Sequence, residues 1–394
     1  MLKRTLLIVA AAVMAASTAA TAQPAPSGSP ILVGASASLS GRYKSAGTSL
    51  LNGYRAWVEH VNRSGGLLNR PVKLVYYDDQ SEQATAVRLY RKLVTEDKVN
   101  VALGPYGSGP TFAVSAVTEE YKVPLVATAA GAANIFQRGL HYVFQGEPGS
   151  AYLAEPALSA ARERGLKKVA VLYSDNAWGK DFFESTKTLA KQAGLEIVHS
   201  QSYPADVKDL SSALLQARAR GAEVITSSAY LPDAELIARQ LKDMGWAPRL
   251  VFLATAFDRN FGSELKQDAD AITTYAMWSP ALKSHENGDF QKLYQELFGT
   301  APDDKAAIGY AAGQVVEAAV KSTGGLASEA LRDYIATHEI PTVLAGTFKV
   351  DPTGLQVGYK VLLMQWQNGE LKITGPKELA NAPLVFPFPD WSGR

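Results

Sequence analysis

Cysteine is absent from this 394-residue chain, and long apolar segments are missing beyond the N-terminal region. The absence of cysteine excludes a disulfide framework, a thiolate metal site and a cysteine that could accept a lipid. The most apolar internal segment, 306–320, is interrupted by Gln314 and Glu317 and has the spacing of a buried helix. We therefore expect no transmembrane helix in the body of the protein.

The chain also lacks a surplus of charge of either sign. Its formal net charge is +1, and 20% of its residues are charged. A balanced chain creates no field that favours a polyanion or an anionic membrane surface. This balance argues against nucleic acid as a partner.

Recognisable catalytic motifs are lacking as well, since no G-x-S-x-G elbow, H-E-x-x-H pair or Walker loop occurs. Asp78 and Asp79 close a predicted strand and could form an acid pair, although strand-end carboxylates more often cap the next turn. We therefore expect a protein that is not an enzyme and uses no metal or other cofactor. A secreted hydrolase using Asp78, Asp79 or a histidine is the weaker alternative. The histidines are scattered at His60, His141, His199, His285 and His338.

The N-terminus has the features of a secretory signal peptide. Lys3 and Arg4 precede an apolar run over 6–16, and small residues at 20–22 precede Gln23. The run is shorter than the roughly 20 residues that span a bilayer. Residues 1–22 are therefore predicted to be cleaved, which leaves an exported chain without a lipid anchor.

What the sequence does contain is a regular alternation of apolar runs and amphipathic stretches. Between the first two runs, Leu51, Tyr54, Val58 and Val61 recur at helical spacing. Strands that alternate with helices predict parallel sheets with helices on both faces. The fold class is therefore α/β, with doubly wound, Rossmann-like sheets. The apolar runs begin at Ile31, Val72, Val101, Val169, Glu223 and Leu250.

Length and internal breaks predict two lobes. A chain of 394 residues exceeds one ordinary domain. Breaks marked by Gly or Pro fall near 146–150, 279–282 and 346–354, which suggests three crossings between the lobes. We place lobe one at 30–147 and 281–345, lobe two at 148–280 and 346–380, and a tail at 381–394.

A glycine-rich turn after the third predicted strand is a candidate anion site. Gly107, Ser108 and Gly109 lead into Pro110 at a helix start, where unpaired backbone N–H groups attract negative charge. The spacing differs from the dinucleotide fingerprint, and the acidic residue expected about 20 positions later is missing. Such turns also occur in α/β folds without any ligand, so both interpretations stay open.

The order of segments resembles the leucine/isoleucine/valine-binding protein family, the type I periplasmic solute-binding proteins of ABC importers. This resemblance implies two α/β lobes joined by a three-crossing hinge, a periplasmic location and capture of a small solute, usually a branched-chain amino acid. It also implies a membrane permease as the partner, and we expect a monomer. A ligand sensor of the same fold is the alternative. The segments that carry the resemblance are ILVGASASLSG, GLLNRPVKLVYYDDQ, VALGPYGSG, VPLVATAAGAANIFQRGLHYVF and VAVLYSDNAWG.

The resemblance further implies which residues bind the ligand. Ser108 would hold a ligand carboxylate, while Trp178 and Tyr230 match aromatic residues on the second lobe. Tyr106 could stack on the ligand beside them. The remaining positions on the first lobe that match the family's binding loops are Gly107, Gly109, Ala129, Ala130 and Gly131.

Two departures from the family concern the ligand ammonium group. Gly131 stands where the family commonly has a threonine, and Ala256 stands where it has a glutamate. A buried ammonium without a counter-ion costs several kcal/mol, so an α-amino acid binds poorly unless Asp258, Asp175 or Glu147 substitutes. We therefore expect a ligand with an acid or other acceptor group and an apolar or aromatic body, with a branched-chain amino acid as the next candidate.

Overall fold

The computed structural model describes residues 26–392, so the predicted signal peptide lies outside the described residues. The first of two large sheets contains β1 (Ile31–Ala37), β2 (Val72–Asp78), β3 (Val101–Leu103), β4 (Leu125–Ala127) and β5 (Val143–Gln145). All of its strand pairs are parallel, in the order β2-β1-β3-β4-β5. Parallel pairing places the carboxyl ends of these strands at one edge of the sheet.

The second large sheet is parallel through its centre and antiparallel at one edge. Its strands are β6 (Lys168–Ser174), β7 (Glu196–Tyr203), β8 (Val224–Ser227), β9 (Leu250–Leu253), β10 (Thr273–Ala276), β13 (Leu362–Gln367) and β14 (Glu370–Gly375). The strand order is β14-β13-β10-β9-β8-β6-β7. The two-stranded antiparallel unit of β11 (Ile340–Pro341) and β12 (Thr347–Phe348) lies between β10 and β13 in the chain.

Helices connect the strands, as the alternating pattern predicts. The first-sheet helices are α1 (Lys44–Arg63), α2 (Gln83–Thr95) and α3 (Ser108–Glu120), and those that follow β5 are α4 (Ser150–Leu153), α5 (Glu155–Glu163), α6 (Ala177–Ala193), α7 (Ser211–Ala219), α8 (Leu231–Asp243) and α9 (Arg259–Leu265). The last three are α10 (Asn287–Phe298), α11 (Asp304–Thr323) and α12 (Ser328–Thr337). The predicted α/β class with two lobes is confirmed. The antiparallel strands β13 and β14 were not predicted, because a short hairpin at a sheet edge leaves no βαβ pattern.

Close packing of α11 against α1 returns the chain to the first lobe and fixes the start of α11. A Cβ added at Gly53 would lie 2.1 Å from the carbonyl oxygen of Ala306, and one added at Gly309 would lie 2.4 Å from that of Leu50. Only glycine permits backbones to approach so closely. The first turn of α11, which carries Lys305, is thereby held beneath the cleft between the lobes.

The chain passes between the two sheets three times. It leaves the first sheet after β5, returns after β10 to form α10 and α11, and leaves again before β13. The lobe boundaries that we place at 147, 280 and 345 remain predictions. Near the third crossing, Gln145 donates its N–H to the carbonyl of Gly354, and its side-chain oxygen accepts from Gln356 N. These contacts with β5 favour a third boundary nearer to Leu362.

Between residues 26 and 392, no helix combines the length and the apolar character that crossing a membrane requires.

Candidate ligand-binding site

A cavity with about 280 Å³ of unfilled space lies where the carboxyl edges of the two sheets face each other. This figure includes space open to solvent, and the surrounding side chains lie close together, so the cavity suits a small ligand. Residues that follow β3, β4, β5, β6, β8 and β9, together with side chains of β10 and α11, form its wall. They are Tyr106, Gly107, Ser108, Ala129, Gly131, Glu147, Trp178, Tyr230, Thr255, Tyr275 and Lys305.

The turn formed by Gly107, Ser108 and Gly109, which we call the serine turn, projects a hydroxyl group from the first lobe. Gly107 has a φ of +99°, which glycine adopts without strain, and it lets α3 begin directly at Ser108. Ser108 Oγ accepts a hydrogen bond from Ala132 N at 3.1 Å and has no acceptor for its own proton among residues 26–392. Its hydroxyl therefore remains able to donate to a ligand. The adjacent N-terminus of α3 adds unpaired N–H groups and a positive dipole end.

A second loop is held against the serine turn by the backbone. Gly107 N donates to the carbonyl of Ala129 at 2.8 Å, which joins the loops after β3 and β4. The loop is also narrow at Gly131, where an added Cβ would lie 3.3 Å from Nε1 of Trp178. A side chain at this position would press on the indole, which explains in part why glycine is accommodated here.

Aromatic rings from both lobes meet over the cavity. The ring centroids of Trp178 and Tyr230 lie 4.9 Å apart, as do those of Tyr43 and Tyr230. The Tyr106 ring lies 5.5 Å from that of Tyr43 and 6.4 Å from that of Tyr230. Tilted pairs at these separations are favourable ring contacts. Because Tyr43 and Tyr106 belong to the first lobe and Tyr230 belongs to the second, the cleft is closed in this structure.

Polar contacts across the cleft reinforce the closed form. Arg42 Nη2 donates to both carboxylate oxygens of Asp233, at 2.8 and 2.9 Å. Ser45 Oγ donates to Asp258 at 2.8 Å and accepts from the side chain of Asn260 at 2.9 Å. Burial raises the pKa of Asp233, and the charge of Arg42 opposes that rise. Each contact joins a first-lobe residue to the helix starts of α8 or α9.

A buried ion pair forms another part of the wall. Lys305 Nζ lies 3.1 Å from Oε2 of Glu147 and 3.9 Å from Oδ2 of Asp304. Burial alone lowers the pKa of Lys305, but the neighbouring carboxylates, Glu147 above all, outweigh it and raise that pKa well above its ordinary value. Burial raises the pKa of Glu147, against the opposing effect of Lys305. Both groups are therefore strongly coupled at the cavity wall.

Asp304 lies behind this pair rather than on the cavity wall. Its Oδ1 accepts from the backbone N–H groups of Met277 and Trp278, at 2.8 and 3.0 Å. Its Oδ2 is buried without a hydrogen-bond partner among the described residues. Burial raises its pKa to about 6, while Lys305 opposes the rise.

The sequence profile described as periplasmic binding protein matches residues 30–370. The chain belongs to this family. Its curated relatives include Leu/Ile/Val-binding protein homolog 7 of Brucella abortus, which is 27% identical over 92% of this chain and 96% of the relative. The predicted resemblance to Leu/Ile/Val-binding proteins is therefore confirmed.

Solved structures share the fold of this periplasmic binding protein. The branched-chain amino acid substrate-binding protein LivJ of Streptococcus pneumoniae, in complex with isoleucine, is 24% identical and superposes with a TM-score of 0.78 over 87% of this chain and 97% of LivJ. A solute-binding protein of an ABC transporter from R. palustris, in complex with 4-hydroxybenzoate, is 22% identical, with a TM-score of 0.79 over 92% of this chain and 99% of that protein. At these identities the likeness establishes the fold.

Most of the residues that we expected to bind ligand in this periplasmic binding protein do line the cavity, and three do not. The Ala256 side chain packs in the core of the second lobe and its carbonyl accepts from Trp366 Nε1, while the adjacent Thr255 lines the cavity instead. Ala130 is also in a core, with its carbonyl bonded to Gln145. The Cα of Gly109 faces the side chain of Gln83. The residues brought together are Tyr106, Gly107, Ser108, Ala129, Gly131, Trp178 and Tyr230.

The three carboxylates considered as partners for a ligand ammonium group make different contacts. Glu147 lines the cavity but already faces Lys305. Asp258 caps α9 and accepts from Ser45, and it is not part of the wall. Asp175 is exposed and pairs with Lys180 at 2.7 Å. Each of the three carboxylates therefore already has a partner, although Oε1 of Glu147 keeps a free acceptor position at the wall.

Three residues of the cavity wall were not predicted: Lys305, Tyr275 and Thr255. Lys305 opens the long apolar helix 306–320 that the sequence marked as buried, and a lysine at the buried end of such a helix is the signal that could have found it. Thr255 is one position before the predicted Ala256. Nothing in the local pattern distinguishes Tyr275 from other aromatic residues in buried strands.

The aspartates weighed as a catalytic pair have structural partners. Asp79 accepts from the hydroxyls of Ser36 and Ser38, each at 2.7 Å. Asp78 accepts from Leu39 N at 2.9 Å and from Ser40 Oγ at 2.8 Å. Both carboxylates thus tie β2 to the end of β1, and neither lines the cavity.

Proposed function

We propose that this protein captures a small carboxylate-bearing solute in the periplasm, closes over it, and delivers it to the permease of an ABC importer. Membership of the family supports solute binding and the periplasmic location. Three parts of the proposal go beyond membership of the family: the carboxylate of the ligand, the closure of the lobes over it, and its delivery to a permease.

The observation that carries the proposal is one cavity shared by two lobes with complementary walls. Ser108 and the N-terminus of α3 present donors from the first lobe, and Trp178 and Tyr230 cover the same space from the second. Donors at a helix start suit a carboxylate, and rings suit the apolar body attached to it.

The ligands of related structures agree with an acid as the shared group. LivJ was solved with isoleucine, and proteins from R. palustris were solved with benzoate and with 4-hydroxybenzoate. Each ligand carries one carboxylate, but only isoleucine also carries an ammonium group. The carboxylate is therefore the feature that we transfer to this chain.

The charges on the wall favour an acid without an ammonium group. Glu147 is already paired with the buried Lys305, whose positive charge repels a second cation at the same place. Asp258 is engaged by Ser45 across the cleft. A buried ammonium would therefore have to share the carboxylate of Glu147 with Lys305 and would find no counter-ion of its own.

Closure follows because the first lobe supplies the polar groups of the cavity wall and the second lobe supplies the rings that cover it. The ligand first docks at Ser108, through hydrogen bonds worth about 1 to 3 kcal/mol and a helix-dipole contribution of about 0.3 to 2 kcal/mol. The second lobe then brings Trp178 and Tyr230 over the apolar body, and burial at roughly 25 cal/mol per Å² drives the hinge. The closed form is the one that a permease would recognise.

Thermal unfolding with a panel of ligands tests the proposal. A ligand at 100 times its dissociation constant adds about 2.7 kcal/mol to the free energy of unfolding. We expect benzoate-type acids to raise the melting temperature and the corresponding neutral amides to do so less. Small-angle scattering at saturation should show a smaller radius of gyration.

The same panel contains the contradicting results. A shift with leucine or valine and none with any aromatic acid would overturn our assignment of the ligand class. If no acid shifted the melting temperature, or if a bound acid left the radius of gyration unchanged, the capture mechanism itself would be wrong.

A further inference from the structure

The ion pair in the cavity is incompletely satisfied by the protein. Lys305 carries three N–H donors, and among residues 26–392 its Nζ has one hydrogen-bond partner, Oε2 of Glu147. The other carboxylate oxygen, Oε1 of Glu147, has no hydrogen-bond partner among the same residues. Both side chains are nearly inaccessible, at 4% and 6% exposure, yet both line the cavity. Unused donors and an unused acceptor thus lie side by side on its wall.

Burial makes these unused groups significant. Buried polar groups are almost always hydrogen-bonded, and charged ones cost most when they are not. Aromatic rings cover part of the pair, with Lys305 Nζ 5.0 Å from the ring centroid of Phe257 and 5.8 Å from that of Tyr275. A ligand group that reaches this part of the wall can take the place of water at the remaining donors of Lys305 and at Oε1 of Glu147.

The local charge decides what kind of group this is. Lys305 is the one cation among the described residues that line the cavity, and it already faces Glu147 at 3.1 Å and Asp304 at 3.9 Å. A second carboxylate would add an anion beside two others, and an ammonium would approach a buried cation. A neutral hydroxyl group adds no charge. It can accept from Lys305 and donate to Glu147 at the same time.

We infer that Lys305 and Glu147 are specificity-determining residues that bind a hydroxyl group of the ligand, so that the ligand is a small aromatic monocarboxylate that also carries a hydroxyl. The carboxylate occupies the serine turn, the ring lies among the aromatic side chains, and the hydroxyl completes the ion pair. This inference rests on the proposed function, since it assumes that the cavity binds an acid.

Isothermal titration of the full mature chain tests the inference with defined probes. The probes are benzoate, its 2-, 3- and 4-hydroxy derivatives, and the matching methoxy derivatives, which accept but cannot donate. We expect one hydroxybenzoate to bind about 10- to 100-fold more tightly than benzoate, because hydrogen bonds to buried charged groups are strong. The methoxy analogue of the same isomer should lose that advantage.

Variants assign the advantage to the ion pair. Replacing both partners, with Lys305→Met and Glu147→Gln in one chain, removes both charges of the pair, and Asp304, whose pKa burial already raises, then takes up a proton in the absence of Lys305. This double variant should reduce the hydroxyl advantage to within about threefold. Glu147→Gln alone serves if the double variant does not fold. Lys321→Met, which removes an exposed lysine paired with Glu317 on the same helix, is the matched control and should keep the full advantage.

The outcomes separate the inference from the proposed function. If benzoate binds and no hydroxy derivative binds more tightly, the hydroxyl site is wrong while acid capture stands. The hydroxyl site is equally wrong if the methoxy analogue binds as well as the hydroxy compound, or if the folded double variant retains the advantage. If none of these acids binds, the proposed function fails and this inference fails with it.

Discussion

The two lobes give one cavity two different walls. The first lobe contributes the polar groups, namely the hydroxyl of Ser108 and the Lys305–Glu147 pair. The second contributes mainly rings, Trp178 and Tyr230, which lie 4.9 Å apart. This division suggests that the first lobe selects the chemical groups of the ligand, while the second encloses its body and converts binding into closure.

Local structure explains the difference between the walls. On the first lobe, a tight glycine turn and helix starts expose donors, because the first N–H groups of a helix have no intrahelical partner. On the second lobe, Tyr230 is the residue before α8 and Trp178 lies in the first turn of α6, so each helix start carries a ring instead. The junction between a strand and the following helix therefore presents backbone donors on the first lobe and aromatic rings on the second.

The largest expected effect on binding comes from the ring wall. Trp178→Ala removes a buried indole that contacts Tyr230, so we expect ligand affinity to fall by about 2 to 4 kcal/mol, roughly 30- to 1,000-fold. Titration calorimetry measures the loss, and scattering should show weaker compaction at a matched ligand concentration. Trp178→Phe, which keeps a ring, should lose less. Equal affinity of the alanine variant and the wild type would contradict the role of this wall.

The buried charges behind the polar wall predict a pH dependence of stability. The pKa of Asp304 is raised from 3.8 to about 6 by burial, so between pH 4 and 6 the folded protein retains a proton that the unfolded chain releases. Stability from this group therefore falls as pH rises through that range. Relative to Asp304→Asn, the wild type should lose about 2 kcal/mol between pH 4 and pH 7.

Urea unfolding of the wild type and Asp304→Asn at several pH values measures this difference. A constant difference between the two proteins from pH 4 to 7 would show that the carboxyl does not titrate in this range. A wild type that gained stability relative to the variant as pH rose would show that the sign is wrong.

A substitution in the serine turn should reduce ligand affinity less than one in the ring wall, and it should leave closure intact. Ser108→Ala removes the donor to the ligand carboxylate and leaves Ala132 N without its acceptor. We expect affinity to fall by about 1 to 2 kcal/mol, roughly 5- to 30-fold, while a saturated variant still closes fully. Ser159→Ala, on the exposed side of α5, is the control. A Ser108 variant that bound normally would remove the serine turn from the account.

The smallest effect should come from the rim of the cleft. Arg42 is partly exposed and Asp233 is buried, so Arg42→Ala should weaken the closed form by about 1 kcal/mol and reduce affinity about fivefold. Arg63→Ala breaks exposed ion pairs within the first lobe and should leave binding unchanged. Identical behaviour of these two variants would mean that the rim contact does not favour closure.

Much of this architecture could be predicted from local patterns. Continuous apolar runs such as Val169–Tyr173 identify buried parallel strands, and the residues that follow strands necessarily gather at one edge. Ser108 was predicted on that basis, whereas Trp178 and Tyr230 were predicted from the family resemblance. They do lie around one cavity.

The charged part of the cavity depended on tertiary packing and could not be predicted in this way. Lys305 is buried because Gly53 and Gly309 let α11 approach α1 closely, which no local pattern around 305 reveals. Its partner Glu147 is distant in sequence and was weighed only as an ammonium partner. The prediction chose Ala256, one position after Thr255, which is the residue that lines the cavity. A sharp turn after β9 decides which of the two side chains faces the cavity.

A crystal structure with the aromatic acid that binds most tightly tests the central claim most directly. We predict that the ligand carboxylate will contact Ser108 Oγ and the N-terminus of α3, with the ring between Trp178 and Tyr230. A carboxylate bound instead at Lys305, or a ligand outside the space shared by the two lobes, would contradict the account.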